Sequence, residues 1–210
     1  SSDLAICALQ LAGGLDYLVR IAENILRKNP KHINYLAPTV TYFLTILAGT
    51  GHTAFSMIPV IVEVAKSENI KPSVPLSIAV VASQIGITAS PVSAAVVAMS
   101  GFLEPFGVSY PTLLGICIST TFIAVMITAF IMSTFTNNDL SSDPVYQERL
   151  AAGHVAPPRE KNVDFHLKPG AKKSVLIFLI GIICIVFYAT AISKNIGIIK
   201  PVIFGRNDAI

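Results

Sequence analysis

Three long stretches of the sequence, residues 76–103, 111–135 and 174–193, contain no charged side chain. About 20 consecutive apolar residues are enough for an α-helix to cross the roughly 30 Å of hydrocarbon in a bilayer. Charged residues make up only 13% of the chain, whereas soluble domains usually carry about 25%. The sequence therefore predicts an all-α membrane protein whose transmembrane helices are surrounded by the lipid bilayer.

The rest of the composition argues against several other classes of protein. The net charge of +3 lies in the loops, without a basic stripe interleaved with aromatics, so nucleic acid is not an expected partner. Cys7, Cys117 and Cys184 lie in apolar segments at unrelated spacings, which is typical of small buried apolar side chains. The four histidines are scattered along the chain, so neither a metal site nor another cofactor is expected.

Two apolar segments are interrupted by short polar runs. Residues 34–66 are broken by Gly-Thr-Gly-His-Thr at 49–53, and residues 76–103 by Thr-Ala-Ser-Pro at 88–91. An unbroken helix over 34–66 would be about 50 Å long at 1.5 Å per residue, which is too long for one straight crossing. The loops can keep the sides of the membrane that their charges favour only if one of these two segments crosses and the other turns back. We therefore predict a re-entrant helical hairpin over 34–66 and a broken transmembrane helix over 76–103.

The distribution of Lys and Arg predicts the orientation of these segments. Cytoplasmic loops of membrane proteins carry an excess of both residues, which favours a cytoplasmic position for loops 20–33, 67–75 and 136–173 and an outer position for 104–110. We interpret the polar loop 136–173 as a solvated linker, with docking of a cytoplasmic partner as the alternative. Three cationic residues do not fit this orientation, because they would lie on the outer side after span 174–193: Lys194, Lys200 and Arg206.

The break at 88–91 has the features of a helix start within the membrane. Serine is a preferred N-cap and proline is tolerated at the first helical position, so Ser90-Pro91 predicts a helix beginning near Pro91. The N–H groups and positive dipole end of such a helix can bind an anion. The alternative is a proline-kinked helix with small residues at a packing interface.

The break at 49–53 is predicted to lie at a comparable depth. Its glycines permit left-handed backbone and close approach, a threonine can cap the following helix, and His52 either contacts the substrate or braces the hairpin tip. No Asp, Glu, Lys or Arg lies in the middle of a predicted span, so helix N-termini, hydroxyls and amides would have to hold an anion. The predicted substrate-binding residues are Thr50, Gly51, His52, Thr53, Gln84, Thr88, Ser90, Pro91 and Ser93.

Several ordered blocks of the chain are shared with a known family. They are GGLDYLV at 13–19, LAGTGHT at 47–53, PVIVEVAK at 59–66, PLSIAVVASQ at 75–84, ITASPVSAAVV at 87–97 and SDPVY at 142–146. Over nearly its whole length, the chain closely resembles the anaerobic C4-dicarboxylate transporter (Dcu) family of bacteria. It looks like the middle of a longer protein, without the first span or two and the second repeat.

The resemblance implies a transporter that is not an enzyme. It would exchange fumarate, malate or aspartate for succinate across the bacterial inner membrane during anaerobic growth. It also implies kinship with the ion-transporter superfamily, in which two inverted repeats each contribute a hairpin and a broken helix. Residues 1–135 would then be the partial first repeat and 174–210 the first span of the second. A homo-oligomer and a sensor kinase are further partners that it suggests.

Three other functions are compatible with the same residues, the last being a structural or sensor-binding membrane subunit whose loop 136–173 docks a cytoplasmic partner. The first is an ion-coupled symporter of another small organic anion. The second is a membrane enzyme with Ser90 or His52 as a catalytic group, although no partner base is placed by spacing.

Overall fold

The computed structural model describes residues 14–136, 139–153 and 171–192. The regular elements in these ranges are all helical, which confirms the predicted all-α fold for this part of the chain. The predictions for Cys7, for residues 154–170 and for the cationic residues after 193 lie outside the described residues. The α-helices are α1 Gly14–Lys28, α2 Ile33–Ala48, α3 Thr53–Ser67, α4 Ser73–Gly86, α5 Ala94–Leu103, α6 Tyr110–Phe135, α7 Pro144–Ala151 and α8 Ala171–Ile192.

Helix α1 is amphipathic and ends at Lys28, just before Asn29-Pro30. Its buried side chains join the main apolar core with residues of α2 and α3. Arg27 at its end donates to Glu23 at 2.8 Å and to Glu63 of α3 at 3.0 Å. Because Arg27 lies just ahead of α2 and Glu63 lies near the end of α3, these two helix ends lie on the same side of the bundle.

Helices α2 and α4 run parallel, and α3 returns in the opposite direction. The Thr41 hydroxyl donates to the carbonyl of Ala79 at 3.1 Å, and the Thr45 hydroxyl donates to the hydroxyl of Ser83 at 3.1 Å. Both contacts join residues 38 positions apart, which requires two helices pointing the same way. The chain therefore reverses at residues 49–52, between α2 and α3.

The helical segment 76–103 is broken as predicted, although its second half begins later than expected. A 3-10 turn at Ile87–Ala89 extends α4, and the two halves of the segment are bent by 42°. The prediction that a helix starts near Pro91 is wrong, because α5 begins at Ala94 with Ser93 as its N-cap. The hydroxyl of Ser90 bonds to the carbonyl of Ile46 instead of capping a helix, and residues 90–93 form a turn.

Helix α6 runs antiparallel to α2 and α4. The Tyr42 hydroxyl lies 2.7 Å from that of Thr121, and Ala129 near the other end of α6 packs with Val74 and Ile78 of α4. Among the described helices, Tyr110–Phe135 is long and apolar enough to cross a membrane, and the bent pair around residue 91 is a second candidate if it forms one span. A further helix, α8, occupies the predicted span 174–193.

The beginning of the polar segment 136–173 is attached to the helical bundle. Lys71 in the connection between α3 and α4 lies 3.2 Å from Asp143, and the Asn69 amide donates to Asp139 at 2.8 Å. The Asp143 carboxylate also accepts from the backbone N–H of Val145 at 3.0 Å and so caps α7. The segment 139–153 is therefore attached to the bundle at its start, whereas most of its residues are exposed to solvent.

Candidate functional site

The two interruptions of the apolar segments meet each other; their meeting point is called the junction below. The Ser90 hydroxyl after α4 donates to the carbonyl of Ile46 near the end of α2 at 2.6 Å. A Cβ atom added to Gly51 would lie 2.7 Å from the amide nitrogen of Gln84. The sequence predicts two breaks at comparable depth, and the structure brings them into direct contact.

Gly49 permits this contact for two reasons. Its φ angle of +68° lies in the left-handed region that side chains disfavour. A Cβ atom there would also lie 2.7 Å from the Cγ2 atom of Val92, well inside normal contact distance. The Gly49 N–H donates to the carbonyl of Thr45 at 2.7 Å and ends α2. A residue with a side chain would therefore strain the backbone and push the second break away.

A group of buried hydroxyls supports the chain reversal at 49–52. Ser83 donates to the Gly51 carbonyl at 2.9 Å, and Thr53 donates to the Thr50 carbonyl at 3.2 Å. Thr45 lies between them, within 2.9 Å of Thr53 and 3.1 Å of Ser83. Carbonyls outside a helix need such partners when water is excluded. Thr45 and Ser83 were not predicted from the sequence. Their only signal there is a hydroxyl side chain within a mostly apolar helix, α2 for Thr45 and α4 for Ser83.

The predicted binding residues fall into a buried and an exposed set. Thr53, Ser90 and Ser93 are buried, and the hydroxyls of the first two take part in hydrogen bonds that shape the junction. Pro91 and Gly51 are also buried, and Thr50 is half-buried. The exposed side chains are those of His52, Gln84 and Thr88.

Each exposed residue offers a different polar group. The His52 ring centroid lies 5.9 Å from that of Phe55, at the start of α3. The Gln84 amide lies beside Gly51. The Thr88 hydroxyl donates to the Ile85 carbonyl at 2.7 Å, so its oxygen can still accept a hydrogen bond. An imidazole, an amide and a hydroxyl thus reach the surface beside the two breaks.

Two helices begin at the junction, and the start of α5 presents N–H groups. Helix α5 has Ser93 as its N-cap without a side-chain capping bond, and its first bond of helical spacing runs from Val97 N to Ser93 O at 3.1 Å. The N–H groups of residues 94–96 therefore precede the helical hydrogen-bond ladder. Helix α3 begins at Thr53 directly after the chain reversal, with its N-cap His52 also lacking a side-chain capping bond. Helix N-termini carry partial positive charge and suit an anion.

The side chains around the junction carry no formal charge. Residues 44–62 and 76–103 contain no Asp, Glu, Lys or Arg. In the part of the chain that the structure describes, no group of three or more His, Cys, Asp or Glu could hold a metal ion. The chemistry that the junction offers is hydrogen-bond donation from N–H groups, hydroxyls and an amide.

Comparison with known proteins matches this chain to transport proteins. The profile of a family described as anaerobic C4-dicarboxylate membrane transporter matches residues 3–210. The chain is 68% identical to the C4-dicarboxylate transporter DcuA of Wolinella succinogenes over 206 residues, which cover 98% of this chain and 47% of the relative. It is 49% identical to DcuA of Escherichia coli K12, again over 98% of this chain and 47% of the relative.

A more distant relative carries a related name. The anaerobic C4-dicarboxylate transporter DcuB of Escherichia coli O6:H1 is 40% identical over 152 residues, or 70% of this chain and 34% of the relative. The chain spans about half the length of the DcuA relatives that it matches. No solved structure matches. Since the family match covers nearly every residue, the chain belongs to the anaerobic C4-dicarboxylate membrane transporter family, whose members are transporters and not enzymes.

Proposed function

We propose that this chain forms about half of a secondary transporter that exchanges fumarate, malate or aspartate for succinate across the bacterial inner membrane. One observation carries the proposal: two interrupted helices meet at an uncharged junction where α3 and α5 both begin. Interrupted helices with their N-termini at one point are the usual construction of anion sites in secondary transporters. The names of the relatives supply the class of substrate.

In the membrane, α2 and α3 form a re-entrant hairpin, α4 and α5 form a broken span, and α6 and α8 cross completely. The antiparallel return of α3 supports the hairpin, since Glu63 near its far end bonds to Arg27, which lies just ahead of α2. Large exposed apolar side chains on α6 and α8 suit contact with lipid; they include Ile123, Ile127, Phe130, Ile180, Ile183 and Phe187. Residues 1–135 then form the first repeat, 136–173 lie in the cytoplasm, and 174–210 begin the second repeat.

A cysteine placed at position 71 tests this topology. The connection between α3 and α4 should face the cytoplasm, so Lys71→Cys should react with an impermeant reagent only after cells are permeabilised. A cysteine at position 107, in the short connection before α6, serves as the matched outer control. Reaction at position 71 in intact cells would rule out the hairpin.

We place one substrate carboxylate at the start of α5, with Ser93 and the first N–H groups of that helix as donors. Thr50, His52 and Gln84 approach from the chain reversal, and Thr88 borders the same surface. A helix end contributes only about 0.3–2 kcal/mol to the binding of an anion, so several donors have to converge. The second repeat would hold the other carboxylate.

Counterflow with the full-length protein in proteoliposomes tests the exchange. Internal succinate should accelerate the uptake of radiolabelled fumarate without an ion gradient. Uptake that ignores internal succinate and requires a sodium or proton gradient would instead support a symporter of organic anions. A homo-oligomer and a sensor-kinase partner stay predictions from the resemblance.

Ser93→Ala tests the substrate site itself. Loss of one donor to a charged group costs about 1.5–3 kcal/mol, which corresponds to roughly 10- to 150-fold in affinity. Ser100→Ala is the matched control, because that hydroxyl donates to the Val97 carbonyl further along α5. Equal fumarate dissociation constants for both variants, measured by calorimetry in detergent, would remove Ser93 from the site.

A further inference from the structure

The carbonyl of Pro91, in the turn between α4 and α5, accepts a hydrogen bond from the start of α6. The Tyr110 hydroxyl, on the first residue of α6, donates to this carbonyl at 2.5 Å. We infer that Tyr110 is a positioning residue, which holds the 90–93 turn in place and thereby fixes where α5 begins. The inference rests on the proposed function, because it gives Tyr110 a role in binding through the start of α5.

The Pro91 carbonyl needs an external partner. It lies in a buried turn outside both helices, so no helical N–H group reaches it at the usual spacing. Non-helical backbone within a membrane is tolerated only where other groups satisfy it. Tyr110 meets this need from a fixed position, because its ring packs in the cluster that contains Val96, Leu113 and Leu114.

The turn is consequently held from two sides. On one side, the Ser90 hydroxyl donates to Ile46 of α2 at 2.6 Å. On the other, Tyr110 connects Pro91 to α6. Between them, the Ser93 N–H donates to the Ser90 carbonyl at 3.2 Å and closes the turn. The first N–H groups of α5 therefore keep a set direction toward the junction, and a ligand there does not have to order them on binding.

Tyr110→Phe removes the hydroxyl and keeps the ring. In the full-length transporter, this variant should raise the KM for radiolabelled succinate exchange roughly 3- to 10-fold, the range expected for one neutral hydrogen bond. The matched control is Tyr42→Phe. In the wild type, the Tyr42 hydroxyl also joins another helix to α6, through Thr121, but it does not touch the turn. The control variant should keep its KM within about twofold.

A second measurement works without any substrate. Ala94, the first residue of α5, is exposed, and Ala94→Cys in a background without other cysteines reports the mobility of this turn through its rate of reaction with a maleimide. We expect Tyr110→Phe to raise that rate roughly threefold or more, and Tyr42→Phe to leave it unchanged.

The two readouts separate the possible failures. An unchanged maleimide rate in Tyr110→Phe, or an equal rise in Tyr42→Phe, would overturn the positioning role. A wild-type protein that does not exchange succinate would refute the proposed function, while the maleimide rates would still decide the role of Tyr110.

Discussion

Ser90 and Ile46 are joined by a hydrogen bond of 2.6 Å, and this contact connects the two interrupted segments of the chain. The Ser90 oxygen also accepts from the N–H of Val92 at 3.3 Å. Ser90→Ala leaves both partners unpaired in a buried place, so it should lower the free energy of unfolding by about 1–3 kcal/mol. Thermal unfolding in detergent measures this loss.

The control for Ser90 is Ser119→Ala, because that exposed hydroxyl only donates to a carbonyl of its own helix. It should change the free energy of unfolding by no more than about 0.5 kcal/mol. Equal losses in the two variants would show that the Ser90 contact does not hold the breaks together.

Gly49→Ala should be the most damaging change at the chain reversal. The left-handed conformation at φ +68° costs a residue with a side chain about 1–2 kcal/mol, and the new Cβ atom would collide with Val92. Gly115→Ala in α6 is the control, since no atom outside its own helix lies within 4 Å of the added group. A Gly49→Ala protein as stable as Gly115→Ala would contradict the described backbone.

Gly51→Ala should weaken substrate binding more than it weakens the fold. The added Cβ atom would meet the end of the flexible Gln84 side chain, which can move aside. If the Gln84 amide binds the substrate, its displacement should lower succinate affinity by roughly 10-fold. A double-mutant cycle provides the control: in a Gln84→Ala background, Gly51→Ala should have almost no further effect on affinity.

His52→Ala should impair exchange without destabilising the protein. The side chain is exposed and contacts Phe55 by ring packing, so we expect a change of no more than about 0.5 kcal/mol in the free energy of unfolding. Slower fumarate exchange with so small a change in the free energy of unfolding would indicate a substrate contact. Wild-type exchange kinetics at equal expression would leave His52 as a residue that only shapes the hairpin tip.

Low pH should release the segment that begins at Asp139 from the helical bundle. The ammonium group of Lys71 beside Asp143 holds the pKa of that carboxyl below its usual range, with help from the N–H groups of Tyr146 and Val145. A carboxyl with a lowered folded pKa stabilises the attached state above its ordinary pKa of about 3.9 and loses this effect as the pH falls through the folded value. Hydrogen exchange at residues 145–146, corrected for intrinsic rates, should therefore stay slow near neutral pH.

Lys71→Gln is the control for the acid effect. It removes the principal cause of the lowered pKa, so protection at residues 145–146 should be weaker at neutral pH and should be lost at a higher pH than in the wild type. Identical pH profiles for the two proteins would contradict the role of the Lys71–Asp143 pair.

The positions of the breaks could be predicted from sequence because local residues determine them. Gly49 ends one helix, and the Ser-Pro pair at 90–91 follows directly after the 3-10 turn that extends another. The exact start of α5 could not be predicted, since Ser90 bonds to Ile46, which is 44 residues away in the chain. A local rule for capping does not include a distant carbonyl that competes for the same hydroxyl.

The supporting contacts depend on how the helices pack. Thr45 and Ser83 look like isolated polar residues until the parallel register of α2 and α4 places them 3.1 Å apart. Tyr110 looks like the first residue of a plain span until α6 returns beside the turn. These three residues carry no pattern of their own, so only the folded chain reveals what they do.

The parallel register of α2 and α4 also sets an order of assembly during synthesis. The carbonyl of Gly51 obtains its partner from Ser83, 32 residues later, and that of Ile46 waits for Ser90. A nascent chain that ends at Ser67 contains both helices of the hairpin but neither of these hydroxyls. The hydrogen bonds at the reversal between α2 and α3 are thus completed only after α4 and the following turn have been synthesised.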